Sequence, residues 1–227
     1  DPNSVKSKTL EDWKKNYLHS LHFDLINKQI RSKKEEGDIL EAYNKCIYHK
    51  DTSIIYKDVL YHYYSTYYIC KDIYFLLEKY NEISEILIIS QNNIIEKHGE
   101  ISNENLSIVE ELHQFYLSLN NFEKSYNYAE QSFEIGIKLY PLHDVRISKL
   151  FNFFHIEESY IQAKKSKEII NILTQIISEW DKHYNVNINS PNLLKEEYYN
   201  LVENLSLSYF YSNQLNESET IIKKLLD

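Results

Sequence analysis

The residues able to do chemistry are few, and each grouping lacks a member. His19 and His22 stand three apart, so on a helix both imidazoles could face one ion. No third ligand lies near them in sequence, and a solvated or capping pair is the simpler expectation. Glu110 and His113 form one Glu-x-x-His pair, a pattern that a di-iron bundle needs on each of two helices. Asp58 and His62, four apart, fit an ordinary pair on a helix surface. Nucleophilic catalysis needs a Ser or Cys activated by a base, usually on a strained turn. The sequence has no Gly-x-Ser-x-Gly, and Cys46 and Cys70 fall inside predicted helices, where a buried, inert thiol is expected. Gly37, Gly99 and Gly136 are isolated, which excludes a glycine-rich phosphate or dinucleotide loop. The sequons at Asn105, Asn204 and Asn216 read as chance in an Asn-rich chain. No catalytic residue, metal ligand set or cofactor is therefore expected in this chain.

Recognition chemistry has one candidate. Tyr56, Tyr61, Tyr63, Tyr64, Tyr67, Tyr68 and Tyr74 crowd one segment, with spacings of three and four on more than one helical face. A helix buried on both sides explains this. So does a concave peptide groove, because Tyr offers contact area with a polar tip. Tyr64, Tyr67, Lys71 and Tyr74 are the groove residues on the second reading, with Lys71 able to meet a carboxylate.

These side chains need helices to position them, and the composition supplies helices. Only 3 Gly and 3 Pro in 227 residues leave few breaks. Caps and breakers predict ten helices, near 9–34, 38–49, 53–77, 81–97, 104–119, 122–139, 145–158, 161–184, 193–212 and 215–226. Thr9 with Asp12 and then Ser102 are the expected N-caps, His98-Gly99 a C-cap, and Pro141 a break. Four turns share a lead pattern: Tyr80-Asn81-Glu82-Ile83, Phe122-Glu123-Lys124-Ser125, Leu215-Asn216-Glu217-Ser218 and, more weakly, Ala163-Lys164-Lys165-Ser166. Their steps of 42, 41 and 52 residues exceed the roughly 34 of an ordinary tetratricopeptide (TPR) repeat. Upstream of three leads stand helical pairs four apart: Cys70 and Tyr74, Leu112 and Tyr116, Leu205 and Tyr209. The expected fold is all-α, a TPR-like stack of antiparallel helical hairpins. Residues 1–52 lead into it, and residues 53–227 form one continuous array.

The bulk numbers narrow the partners. A net charge of −9 disfavours nucleic acid and anionic membrane, and Lys164-Lys165-Ser166-Lys167 reads as a solvated helix face. No apolar run approaches the ~20 residues of a membrane helix. Two cysteines make no disulfide framework, which suggests a reducing, intracellular setting, cytoplasmic or nuclear. Met is absent, and a fragment of a longer protein is the expected origin.

Several stretches resemble the C-terminal helical domain of MYND-finger SET-domain protein lysine methyltransferases. They are the turn Leu119-Asn120-Asn121-Phe122-Glu123-Lys124-Ser125-Tyr126, the connection Tyr140-Pro141-Leu142-His143-Asp144-Val145, and Trp180-Asp181-Lys182-His183-Tyr184 followed by Ser190-Pro191-Asn192-Leu193. The family has Pro after the histidine where this chain has Asp144. The resemblance implies a non-catalytic regulatory domain that covers or shapes a substrate cleft. S-adenosylmethionine and zinc would belong to the rest of the parent enzyme. Implied partners are the parent's own SET portion, a protein or histone substrate, and a heat-shock chaperone tail ending in Glu-Glu-Val-Asp. Neither an Asn-His-Ser-Cys run nor a Cys-x-Cys-x-x-Cys occurs here, so no catalytic residue is carried over. A second expectation, of another class, is a free-standing adaptor of kinesin-light-chain type that binds extended peptides.

Overall fold

A computed structural model describes the backbone of residues 2–55, 61–152, 161–184 and 190–226, with side chains for 17–53, 66–151, 169–184 and 190–223. The described residues form ten α-helices and no strand: α1 (Pro2–Glu35), α2 (Ile39–Ile55), α3 (Tyr61–Leu76), α4 (Tyr80–His98), α5 (Asn103–Ser118), α6 (Phe122–Leu139), α7 (Val145–Asn152), α8 (Ile161–Tyr184), α9 (Asn192–Tyr211) and α10 (Leu215–Leu226).

Four hairpin turns use one backbone device. Each turn places a single residue in the left-handed region: Gly37 (φ 81°), Glu78 (56°), Asn120 (55°) and Asn213 (61°). Two crossed hydrogen bonds then satisfy the last carbonyls of the preceding helix. Asn120 N–H donates to Leu117 O at 2.9 Å, and Asn121 N–H donates to Tyr116 O at 2.9 Å. The same pair recurs as Gly37 to Lys34 with Asp38 to Lys33, Glu78 to Phe75 with Lys79 to Tyr74, and Asn213 to Phe210 with Gln214 to Tyr209. The helix that follows opens at Ile39, Tyr80, Phe122 or Leu215. Ile39-Leu40-Glu41-Ala42 is thus a lead of the same kind, and α1–α2 is a hairpin like the others.

The chain divides into two compact units, Asp1–Lys97 and His98–Asp227. In the first, α1 packs on α2, α2 on α3, and α1 on α3. Phe23, Ile26 and Ile30 of α1 are buried, as are Ala42 and Cys46 of α2, Ile73 and Tyr74 of α3, and Ile83, Ile86 and Leu87 of α4. In the second unit α5 packs on α6, α6 on α7, α7 and α8 on α9, and α9 on α10. Its largest buried side chains include Trp180, Phe151 and Leu112. Gly136 lets α6 approach α7 closely, since a Cβ there would overlap Leu150 Cδ1.

The two units divide at Lys97/His98, and α2 runs through to Ile55 and packs on both α1 and α3. Two expectations are corrected. Thr9 and Asp12 do not open the first helix; it begins at Pro2, a residue suited to a first helical position because it has no N–H to leave unpaired. Cys46 and Cys70 are joined as a disulfide between α2 and α3, with Cα atoms 5.8 Å apart. The premise of free thiols behind the reducing-compartment reading is therefore gone. Ser102, by contrast, caps α5 as expected, accepting from Asn105 N–H at 3.2 Å. No helix among the described residues is long and apolar enough to cross a membrane.

Candidate functional site

The groove residues on α3 divide by burial. Tyr67 and Tyr74 are both buried, and Tyr74 meets the Tyr43 ring edge-on at 5.7 Å. These two rings belong to the interior of the first unit, not to an open surface. Spacing could not show this, because seven residues return a side chain to the same helical face whether that face is inside or outside. Lys71 is half-exposed and lies 5.7 Å and 5.5 Å from the ring centres of Tyr67 and Tyr68. Tyr64 lies on α3, but its side chain is outside the described residues, as are Asp58 and the side chains of His62 and Lys164–Lys167.

The polar chemistry beside α3 is structural. Tyr43 donates to Glu82 at 2.8 Å, and burial together with that carboxylate pushes its phenol up to about 12. His49 Nδ1 lies 2.5 Å from Thr66 Oγ1, both buried, beside the Phe23 ring at 4.8 Å. A base this enclosed has no path to a substrate.

The second unit places His113 at a helix crossing. His113 Nδ1–H donates to the Ser125 carbonyl at 3.0 Å, and Ser125 Oγ donates back to the His113 carbonyl at 3.2 Å. Burial holds the His113 imidazole below its ordinary pKa, partly offset by the Ser125 carbonyl. The equivalent place in α9–α10 holds Ser206 and Ser218, whose hydroxyls lie 3.0 Å apart, with Ser206 Oγ also donating to Ser218 O at 3.2 Å. The Glu110–His113 pair is therefore split in role. His113 fastens two helices, while Glu110 is half-buried, its carboxyl raised by burial and by Glu111. Asn105 and Asn204 are buried, so their sequons are closed to modification in the folded chain.

Among the described residues, two of the clefts that open to solvent are shallow. One, of about 420 Å³, is lined by Lys28, Gln29, Ser32, Lys33, Glu41 and Lys45. Its lysines are partly spent in pairs, Lys33 with Glu36 at 2.6 Å and Lys45 with Glu41 at 3.5 Å. The other, of about 370 Å³, lies between α9 and α10 and is lined by Tyr199, Glu203, Ser206, Leu207 and Ile222. Neither cleft joins a nucleophile to a base and an acid.

A different surface feature lies on α1. Phe23, Ile26 and Ile30 face the interior. On the other side of the same helix Leu18, Leu21 and Leu25 are 63%, 47% and 56% exposed, with Tyr17 beside them. At 100° per residue the two sets are centred roughly 140° apart, so α1 carries apolar residues on both sides. The sequence reading missed this stripe, although its three- and four-residue spacing was visible.

Sequence comparison adds nothing to this geometry: no family model and no curated protein matches the chain. Solved structures do match. A kinesin-light-chain-type chain of nearly identical TPR-like repeats from Podosopora anserina superposes with a TM-score of 0.53 at 13% identity, covering 87% of this chain and 90% of that one. A singly substituted form of that same protein gives 0.52 at 13% identity, covering 88% and 90%. BtubC (BKLC) from P. vanneervenii gives 0.49 at 13% identity, covering 88% and 76%. At that identity the likeness is one of fold: the chain has an all-α, TPR-like architecture of antiparallel helical hairpins.

Proposed function

We propose that this chain is a non-catalytic protein-interaction domain that docks a partner through α1. The observation that carries the reading is the exposed stripe Leu18, Leu21 and Leu25, away from the buried face of the same helix. An amphipathic partner helix suits a narrow apolar stripe of this kind, since it can present residues at the same spacing. The test is a binding assay on the whole 227-residue chain. Partners recovered by crosslinking to the wild type are re-measured with Leu18→Glu, Leu21→Glu and Leu25→Glu combined. Loss of binding with an unchanged circular dichroism spectrum supports the reading. Partners held equally well by both forms would overturn it.

The finer reading is that the domain belongs to a MYND–SET protein lysine methyltransferase, where it covers or shapes the substrate cleft. The resemblance of Leu119–Tyr126, Tyr140–Val145 and Trp180–Tyr184 to that family supports it. The partner of α1 is then the parent's own catalytic portion, and S-adenosylmethionine and zinc act there. The coding sequence upstream of Asp1 decides: an Asn-His-Ser-Cys run with MYND cysteines upholds it, and their absence sinks it. In that second case the kinesin-light-chain-like fold favours a free-standing adaptor for extended peptides.

A further inference from the structure

We infer that His143, Glu179 and His183 form a binding site for a divalent cation of the zinc type on the second unit. These side chains come from two places in the fold. Glu179 and His183 are four apart on α8 and share one face. His143 reaches them from the connection between α6 and α7. One ligand atom from each of the three lies within 4.8 Å of the others. Among the described residues no other set of three His, Cys, Asp or Glu side chains meets that condition.

Each member is held before any ion arrives. The connection carrying His143 is a closed turn: Asp144 N–H donates to Pro141 O at 2.9 Å, and Ile147 N–H donates to Asp144 O at 2.9 Å. Asp144 also takes a two-pronged contact from Arg146, at 2.9 Å and 2.7 Å. His183 Nδ1 lies 3.1 Å from the Glu179 carbonyl, and a carbonyl can only accept. Nδ1 therefore carries the proton, and Nε2 is left with its lone pair. Metal-binding histidines are commonly oriented in this way, by a backbone carbonyl on the nitrogen that does not ligate. The His143 and His183 rings stack with centres 3.6 Å apart and planes 11° from parallel. A ring nitrogen ligates in its own ring plane, so the ion would sit at the edge of this stack rather than between the rings, within reach of Glu179. Lys182 holds one Glu179 oxygen at 2.6 Å. That lysine also weakens the site, because it brings a positive charge beside a cation.

Two imidazoles and one carboxylate suit Zn²⁺ far better than Ca²⁺ or Mg²⁺, which take oxygen ligands. Water completes the coordination. His19 and His22 do not rival this site, since neither joins a third ligand among the described residues.

The experiment is a Zn²⁺ titration of the full chain at pH 7 against a chromogenic chelator. Uptake of one equivalent is expected. His143→Phe and His183→Phe keep a ring in the stack but remove its nitrogens, and each should weaken binding at least tenfold. Glu179→Gln should weaken it less, and His19→Ala with His22→Ala should leave it unchanged. Circular dichroism shows whether each variant is folded. As a second readout, Co²⁺ should give visible absorption bands in the wild type that disappear in both Phe variants. Unchanged affinity in the Phe variants, loss of uptake only in the His19/His22 variant, or no uptake by the wild type would each overturn the site.

Discussion

In the first unit α2 is joined to α3 by a covalent bond, Cys46–Cys70; in the second, α5 is joined to α6 by reciprocal hydrogen bonds between His113 and Ser125. Both units build hairpins on the same left-handed turn, but the disulfide ties helices of two successive hairpins, whereas the hydrogen bonds tie the two helices of one. A net hydrogen bond contributes about 1 kcal/mol, because water competes for both partners in the unfolded chain. A disulfide acts mainly by restricting that unfolded chain, and a loop of this length is worth about 3 kcal/mol. The first unit should therefore depend on oxidation state, and the second on pH.

Breaking the covalent tie tests the larger half of that contrast. Replacing both cysteines, Cys46→Ala with Cys70→Ala, should cost the first unit about 3 kcal/mol. Amide hydrogen exchange should then quicken across α1–α4 and stay unchanged in α5–α10. Equal loss of protection in both units would show that the bond does not act locally.

The acid side tests the smaller half. Burial lowers the His113 pKa, so the folded chain takes up that proton only at a lower pH than the unfolded chain does. The unfolded state then binds more protons, and stability falls as pH drops below the ordinary imidazole value of about 6.5. Above that value the contribution of neutral His113 is fully present. His113→Gln removes the titrating group, so its melting temperature should vary less than the wild type's between pH 7 and pH 5. Parallel pH profiles for the two proteins would remove His113 from the account.

What could be read from the sequence follows from how local each feature is. The limits of α6, Phe122–Leu139, match the prediction, and α5, α9 and α10 agree to within a residue or so, because caps and breakers are local signals. The lead at Ile39 was missed because Leu40, 67% exposed, stands where the other leads carry a polar residue. Cys46 and Cys70 looked like separate inert thiols; their pairing appears only once α2 lies against α3. The three groups at His143, Glu179 and His183 meet only when the α6–α7 connection is laid beside α8, so no motif could announce them. The burial of Tyr67 and Tyr74 could not be read from their spacing, since tyrosine fits a core as well as a groove.

The turns supply the smallest and most discriminating comparison. The left-handed residue is Gly37 or Glu78 in the first unit, and Asn120 or Asn213 in the second. Glycine has no Cβ to clash there, and asparagine tolerates the region through local hydrogen bonding. Glu78 has neither advantage, so its turn holds strain that the other three avoid. Glu78→Gly should relieve it, while the greater freedom of glycine in the unfolded chain gives part of the gain back. The expected result is a net stabilisation of up to about 1 kcal/mol in the first unit. Asn120→Gly, relieving less strain at the same entropic cost, should fall near zero or slightly below. If the two substitutions shift the melting temperature equally, the four turns are energetically alike. Sequence would then not distinguish them, and the contrast between the units would rest on the fastenings alone.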